Sequence, residues 1–210
     1  MCRLYSAVCS VILFPMLSEG GMKLVKKRSL DLDKVIAKAT EMIGQKGLSA
    51  TTLPSLAKEL GVRSQSLYHY VSGRKQLLSL VGASRIKILS KQLVDNLIGL
   101  SGKEALLKFA DIVRNFILND PALFSILYHL NEYKPEDAIT KEIMNVIAFA
   151  DKLNLRSDST VSLHSLIGAV LGYIFLDVSA SIEGETSTEA DQGYHDMIIK
   201  LVQPKNILEE

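Results

Sequence analysis

The sequence predicts an all-α protein of about nine helices, and three observations carry that prediction. Apolar residues recur at helical spacing along nearly every segment from Asp31 onward. No segment alternates with period two for long enough to make a strand. The breaks fall at glycine, proline and Asn-Asp, residues that favour turns over helix interiors.

The first helix is expected over Asp31–Gln45, where Val35, Ile36, Ala39, Met42 and Ile43 share a face and Gly47 takes the C-cap position. Leu53–Leu60 follows as a short helix, with Thr52 as N-cap and Pro54 tolerated in the first turn. Gly61-Val62 makes a tight break, Ser64–Tyr70 a second short helix, and Ser72-Gly73 the next interruption. A long helix then runs from Arg74 to Leu97, with Leu77, Leu78, Val81, Ile88, Leu89 and Leu93 facing inward.

The remainder continues in the same style. Leu106, Phe109, Ala110, Val113, Phe116 and Ile117 form a stripe that ends at Asn119-Asp120-Pro121. Pro121–Leu130 and Glu136–Leu153 are the next helices, the second striped by Ile139, Ile143, Val146, Ile147, Ala150 and Leu153. Val161–Ala180 is apolar nearly all round, with His164 and Asp177 as its ionisable groups, so it must be buried on several sides. Ser162, His164 and Ser165 interrupt it and it falls short of a bilayer span, so no membrane helix is expected. Burial against its own body and against a second copy accounts for it, with Ser187–Val202 completing a four-helix dimer interface.

Composition narrows the function classes. With 48% hydrophobic and 22% charged residues in 210, the chain is no disordered tail, and it can bury one ordinary core or two small ones. Cys2 and Cys9 are its two cysteines, which excludes a disulfide scaffold and a cysteine-rich zinc site. The formal charge of +1 conceals an asymmetry. Residues 22–97 carry 14 Lys and Arg against 5 Asp and Glu, whereas residues 98–210 carry 9 against 17. A basic first part beside an acidic remainder points to a polyanion partner for the first part only.

The first 21 residues, MCRLYSAVCSVILFPMLSEGG, stand apart. Their apolar stretch from Ser6 to Leu17, roughly 12 residues long and broken by Pro15, is too short to span a bilayer. Two readings stay open: a non-native or dispensable extension ahead of a start at Met22, or a signal peptide with a thin basic region and no A-x-A-like cleavage site. The domains expected after it are a head over 22–75 and a helical body over 76–210.

The informative stretch is Thr51–Leu78, TTLPSLAKELGVRSQSLYHYVSGRKQLL. A helix, a glycine-containing turn and a second short helix make a helix-turn-helix, whose second helix enters a major groove. Leu56, Ala57, Leu60, Val62 and Leu67 supply its small apolar core. The stretch resembles the tetracycline-repressor (TetR/AcrR) family through Thr51-Thr52, Leu53, Leu56-Ala57, Gly61-Val62, Leu67-Tyr68-His69-Tyr70-Val71 and Arg74. The match in register covers Leu32 to about Leu80, and a weaker likeness lies in Leu163-His164-Ser165-Leu166-Ile167-Gly168. Arg63 stands where the family often has a capping Ser, which would pass the cap to Ser64. Val71 and Arg74 replace the usual Phe and Lys, and Pro54 has no side chain to read a base.

The resemblance implies a homodimeric, ligand-responsive transcriptional regulator, most often a repressor, on palindromic double-stranded operator DNA. It implies Gln65 and Ser66 as base readers, since Gln pairs bidentately with adenine and Ser bonds several edges. His69 reaches a base or a phosphate, and Ser64, at the start of the reading helix, belongs to the DNA-contacting set. Thr52, Tyr68, Tyr70 and Arg74 hold phosphates and set register, with Lys23, Lys26, Lys27 and Arg28 as a basic arm. An activator, or a DNA binder with no ligand, would fit the same fold. A membrane-tethered or exported helical protein is the reading from another class.

No enzyme is expected. His69, His129, His164 and His195 are scattered, and the sequence holds no HExxH, G-x-G-x-x-G, Walker lysine loop or G-x-S-x-G. No catalytic residue, metal or cofactor is therefore assigned, and a cytoplasmic location is expected. The acidic body would hold a small apolar or amphipathic effector. Its candidate lining is Phe109, Phe116, Phe124, Tyr128, His129, Met144, Phe149 and His164, an aromatic and methionine set with few charges.

Overall fold

In the computed structural model, which describes residues 30–152, 163–179 and 186–202, the chain enters its first helix, α1 (Leu32–Lys46), at Asp31. The Asp31 carboxylate accepts the Lys34 backbone N–H at 2.9 Å and pairs with its ammonium at 2.6 Å, which holds Asp31 below the usual carboxylate range. Val35, Ala39, Met42 and Ile43 are buried along one face, and Gly47 ends the helix at φ 79°. The first 21 residues and the arm at Lys23, Lys26, Lys27 and Arg28 lie outside the described residues.

Helix α2 (Leu53–Leu60) starts at a reciprocal cap: Thr52 accepts from Ser55 N at 3.2 Å, and Ser55 Oγ accepts from Thr52 N at 2.9 Å. Gly61, at φ 67°, turns the chain into the short α3 (Ser64–Leu67). This helix ends three residues before the expected Tyr70, because the N–H groups of Tyr70 and Val71 both fold back onto the Leu67 carbonyl. Arg63, with no side-chain bond, occupies its N-cap, so Ser64 is the first helical residue and not its cap.

Helix α4 (Arg74–Leu97) is the spine, roughly 36 Å long at 1.5 Å per residue. It packs against α1 and against three helices of the body: α5 (Gly102–Leu118), α6 (Pro121–Leu127) and α7 (Ala138–Lys152). Ile88, expected inward, is 41% exposed, because Ile86 and Leu89 take the two buried positions beside it. Asp120 caps α6 by accepting from Leu123 N at 2.9 Å and receives Arg85 of α4 at 2.5 Å. After α6 the backbone tightens into a 3-10 turn at Leu130–Glu132, so the helix expected to reach Leu130 stops at Leu127.

The last two helices, α8 (Leu163–Ser179) and α9 (Ser187–Val202), pack on α5 and on each other. Val161, Ser162 and Ala180 of the expected span lie outside the described residues. The joint is made by Arg114, which pairs with Asp177 at 2.8 Å and Asp191 at 2.6 Å and lies 5.0 Å from the centre of the Tyr194 ring. Tyr194 is fully buried and donates its hydroxyl to the Ala110 carbonyl at 3.0 Å. Among the described residues the chain forms nine α-helices and no strand, the all-α class expected.

Candidate functional site

The head positions one short helix by burying its single large apolar residue. Leu67 is fully buried with Leu53, Leu56, Ala57 and Val71, which fixes α3 against α2 and leaves its other side chains turned outward. Arg63, Gln65, Tyr68 and His69 are exposed, Tyr68 at 59%, while Ser64 and Ser66 are half-buried at the edges of that surface. Arg63 adds a cation to the exposed surface that Gln65 shares. Its signal was present as a basic residue directly ahead of the second helix.

The other predicted contacts serve the head's interior geometry. Thr52 has its hydroxyl engaged with Ser55. Tyr70 donates its hydroxyl to the Leu30 carbonyl at 2.6 Å, tying the turn after α3 to the entrance of α1. Arg74 donates from Nε to the Thr51 carbonyl at 2.9 Å and from Nη2 to the Leu48 carbonyl at 2.6 Å. Its guanidinium thus fastens the start of α4 to the loop between α1 and α2.

That fastening continues into the body. The Ile139 backbone N–H, in the first turn of α7, donates to Ser79 Oγ of α4 at 3.1 Å. Three residues on, a Cβ at Gly82 would stand 2.5 Å from Ile139 Cδ1 and 3.2 Å from Ile126 Cγ2, so α4 and α7 meet this closely only with glycine there. Lys75 pairs with Asp137 at 3.5 Å and lies over the Tyr133 ring, whose hydroxyl burial pushes up to about 12. One buried cluster runs from Leu56 and Leu67 through Val81 to Ile126, Ile139 and Ile174, so head and body share a core.

The body contains a partly open cavity of about 170 Å³. Its walls are Ile86 and Leu89 of α4, Leu106, Phe109, Ala110, Val113 and Ile117 of α5, Leu123 and Leu127 of α6, and Leu130. Ile143, Val146, Ile147 and Ala150 of α7, Leu166, Ile167, Val170 and Leu171 of α8, and Ile198 of α9 complete them. Of the predicted lining, Phe109 alone is there among the described side chains. Phe116 packs under Arg85, and Phe124 and Tyr128 stack edge-on against Phe175 at 5.3 and 5.7 Å. His129 pairs with Glu132 at 3.2 Å, Met144 is 56% exposed, and Phe149 packs beside Leu89, Leu93 and Leu97. The side chain of His164 lies outside the described residues. The walls are aliphatic, and the helical stripes Leu106–Ile117 and Ile143–Ala150 carried that signal.

Among the described residues no group of three or more His, Cys, Asp or Glu can hold a metal ion. No helix there is long and apolar enough to cross a membrane.

Residues 35–81 match the family described as bacterial regulatory proteins, tetR family. The uncharacterized HTH-type transcriptional regulator YobS of Bacillus subtilis (strain 168) is 24% identical over 90 residues, which cover 43% of this chain and 47% of that protein. The HTH-type transcriptional repressor DrrR1 of Streptomyces coeruleorubidus is 38% identical over 55 residues, 26% of this chain and 20% of that one. The chain thus spans less than half the length of either curated relative. A crystal structure of a bacterial regulatory protein in the tetR family from Rhodococcus RHA1 superposes with a TM-score of 0.61 at 15% identity, covering 85% of this chain and all of that one. That likeness establishes a shared fold.

Proposed function

We propose that this chain, whose residues 35–81 match the tetR family of bacterial regulatory proteins, is a homodimeric, ligand-responsive transcriptional repressor that binds palindromic operator DNA. Residues 22–75 are the DNA-reading head and residues 76–210 the regulatory and dimerisation body. One observation carries the reading: a short helix held by buried Leu67 presents Gln65 outward, with Arg63 ahead of it and Tyr68 and His69 exposed in the turn that follows. A short exposed helix with an amide, a phenol and a cation suits a major groove flanked by phosphates.

In this reading Gln65 and Ser66 read base edges, and Ser64, Tyr68, His69 and Arg63 meet bases or backbone at the edges. Thr52, Tyr70 and Arg74 act one step back, by holding α2, α3 and the start of α4 in the geometry that docks. Two heads placed by a dimer through α8 and α9 would meet half-sites roughly 34–36 Å apart. The exposed stripe of α8 at Gly168, Gly172 and Leu176 supports that dimer, since a Cβ on either glycine would meet no atom within 4 Å.

The effector occupies the cavity. An apolar ligand there would remove its own surface and that of the cavity walls from water. Its walls include α4 and α7, the same two helices joined at Ser79–Ile139, and α4 is fastened to the head by Arg74. A ligand that favours one arrangement of α4 and α7 therefore changes the separation of the two heads.

The test is capture of fragmented genomic DNA by the protein begun at Met22, near physiological salt, followed by sequencing. A few enriched fragments sharing a palindrome support the proposal. Uniform enrichment that disappears with modest added salt leaves only phosphate binding and overturns it.

A further inference from the structure

The chemistry of the cavity walls limits what can enter. Every described wall residue is Ile, Leu, Val, Ala or Phe. None offers a hydroxyl, an amide or a charge from its side chain. A carboxylate, an ammonium or a ring of hydroxyls placed among them would leave water and gain no side-chain partner. The ionic groups that join α5, α8 and α9 are matched to one another: Arg114 with Asp177 and Asp191, and His195 with Asp111 at 2.6 Å.

Size sets the second limit. The space is about 170 Å³. Dry cavities of roughly 150 Å³ lined by Leu, Ile and Phe take up benzene or xenon. Ala110 on α5 and Ala150 on α7 keep this one open, and a longer side chain at either position would fill it. A polycyclic molecule is too large for it.

We propose that the effector is a small neutral molecule of hydrocarbon character, about one aromatic ring in size, taken whole into this cavity. The proposal rests on the reading that the cavity is the effector site. It adds the chemical class, which excludes carboxylates and larger ring systems. The ligand's contacts fall on Ile86 and Leu89 of α4 and on Val146 and Ile147 of α7, so that its occupancy bears directly on the α4–α7 joint.

The test uses the full chain with toluene, benzoate and phenanthrene. Benzoate keeps the ring and adds a charge, while phenanthrene stays neutral and adds rings. Thermal melting reports binding, and affinity for an operator fragment recovered by genomic capture reports the effector role. Toluene is expected to raise Tm by about 5 °C or more at a hundredfold excess over Kd and to weaken operator binding about tenfold. Benzoate and phenanthrene are expected to do neither.

Ala150→Leu should melt at or above the parent and lose the toluene shift. If that variant melts lower, Ala110→Val serves as the same control, and xenon pressurised into crystals of the parent locates the site directly. Benzoate acting as well as toluene overturns the proposed charge limit, and phenanthrene acting as well overturns the size limit. A toluene response that survives both cavity fillers, or no toluene response at all, overturns the proposal at this cavity. Toluene that binds in the cavity while operator affinity stays unchanged overturns the effector reading itself, and the proposal with it.

Discussion

Ser79 of α4 accepts the backbone N–H of Ile139 at 3.1 Å, so a first-turn N–H of α7 is satisfied by a neighbouring helix. Both groups are buried, and the first N–H groups of any helix lack partners within it. Ser79→Ala therefore leaves a buried donor unsatisfied and should cost about 1–3 kcal/mol in chemical denaturation. Gly82→Ala tests the packing beside it. The added methyl gains about 1 kcal/mol of helix propensity, against about 1–3 kcal/mol for forcing the fully buried Ile139 to move. Net destabilisation is expected, and a stabilised Gly82→Ala protein would show that the α4–α7 contact yields easily.

The proposed function separates reading from positioning in the head. Gln65 is exposed with no structural bond to lose, so Gln65→Ala should leave Tm unchanged and relax preference at one base pair by about 1–3 kcal/mol. Arg74→Ala removes two bonds to the carbonyls of Thr51 and Leu48. It should lower Tm by a few degrees and weaken binding to every sequence alike. Melting curves and binding to operator and scrambled DNA check both variants. An Arg74→Ala protein with the parent Tm and a flatter salt slope would return Arg74 to a phosphate contact.

Local signals in the chain were the legible ones. The Thr52 cap, the Gly47 and Gly61 ends and the inward face of α1 depend on neighbours within a turn, and each stands where its own residues put it. The tie that holds the turn after α3 depends on a hydroxyl of Tyr70 meeting Leu30, 40 positions away, and spacing carries no record of that. Arg74 differs for the same reason, since a surface arginine at a helix start gives no sign that two carbonyls from another loop lie within reach. Phe116, Phe124 and Tyr128 stand out in the chain as pocket candidates, but they pack away from the cavity. The space itself arises from shape, where aliphatic stripes of five helices and α9 fail to close around Ala110 and Ala150. Volume left over between stripes is a tertiary quantity.

Alkaline pH should loosen the body in a defined direction. Burial first, and then Asp111, raises the Tyr194 phenol above its ordinary value, and Tyr133 is pushed up to about 12. A group whose folded pKa is raised holds its proton more tightly folded than unfolded. Its contribution is complete below the unfolded value near 10 and is lost as pH rises from there through the folded value. Stability to denaturant should therefore fall steadily above pH about 10. Tyr194→Phe should start lower, having lost the bond to the Ala110 carbonyl, and fall less steeply. Parallel slopes for the two proteins would remove Tyr194 from the transition.

The exposed apolar stripe of α8 makes the dimer testable without DNA. Leu176 is 54% exposed, on the helix face that also turns Gly168 and Gly172 outward. A face of that composition is more apolar than an isolated helix needs, and covering it with a second copy removes that surface from water. Leu176→Arg places a charge on the stripe, and a symmetric contact would bury two such charges. Sedimentation should then show a monomer whose helical content and Tm stay near those of the unmutated subunit, because Leu176 lies outside the buried core. Each freed head would grip one half-site alone, and operator affinity should drop by about 10²–10⁴ as the linked second contact is lost. A Leu176→Arg protein that sediments as a dimer would move the interface off this face of α8.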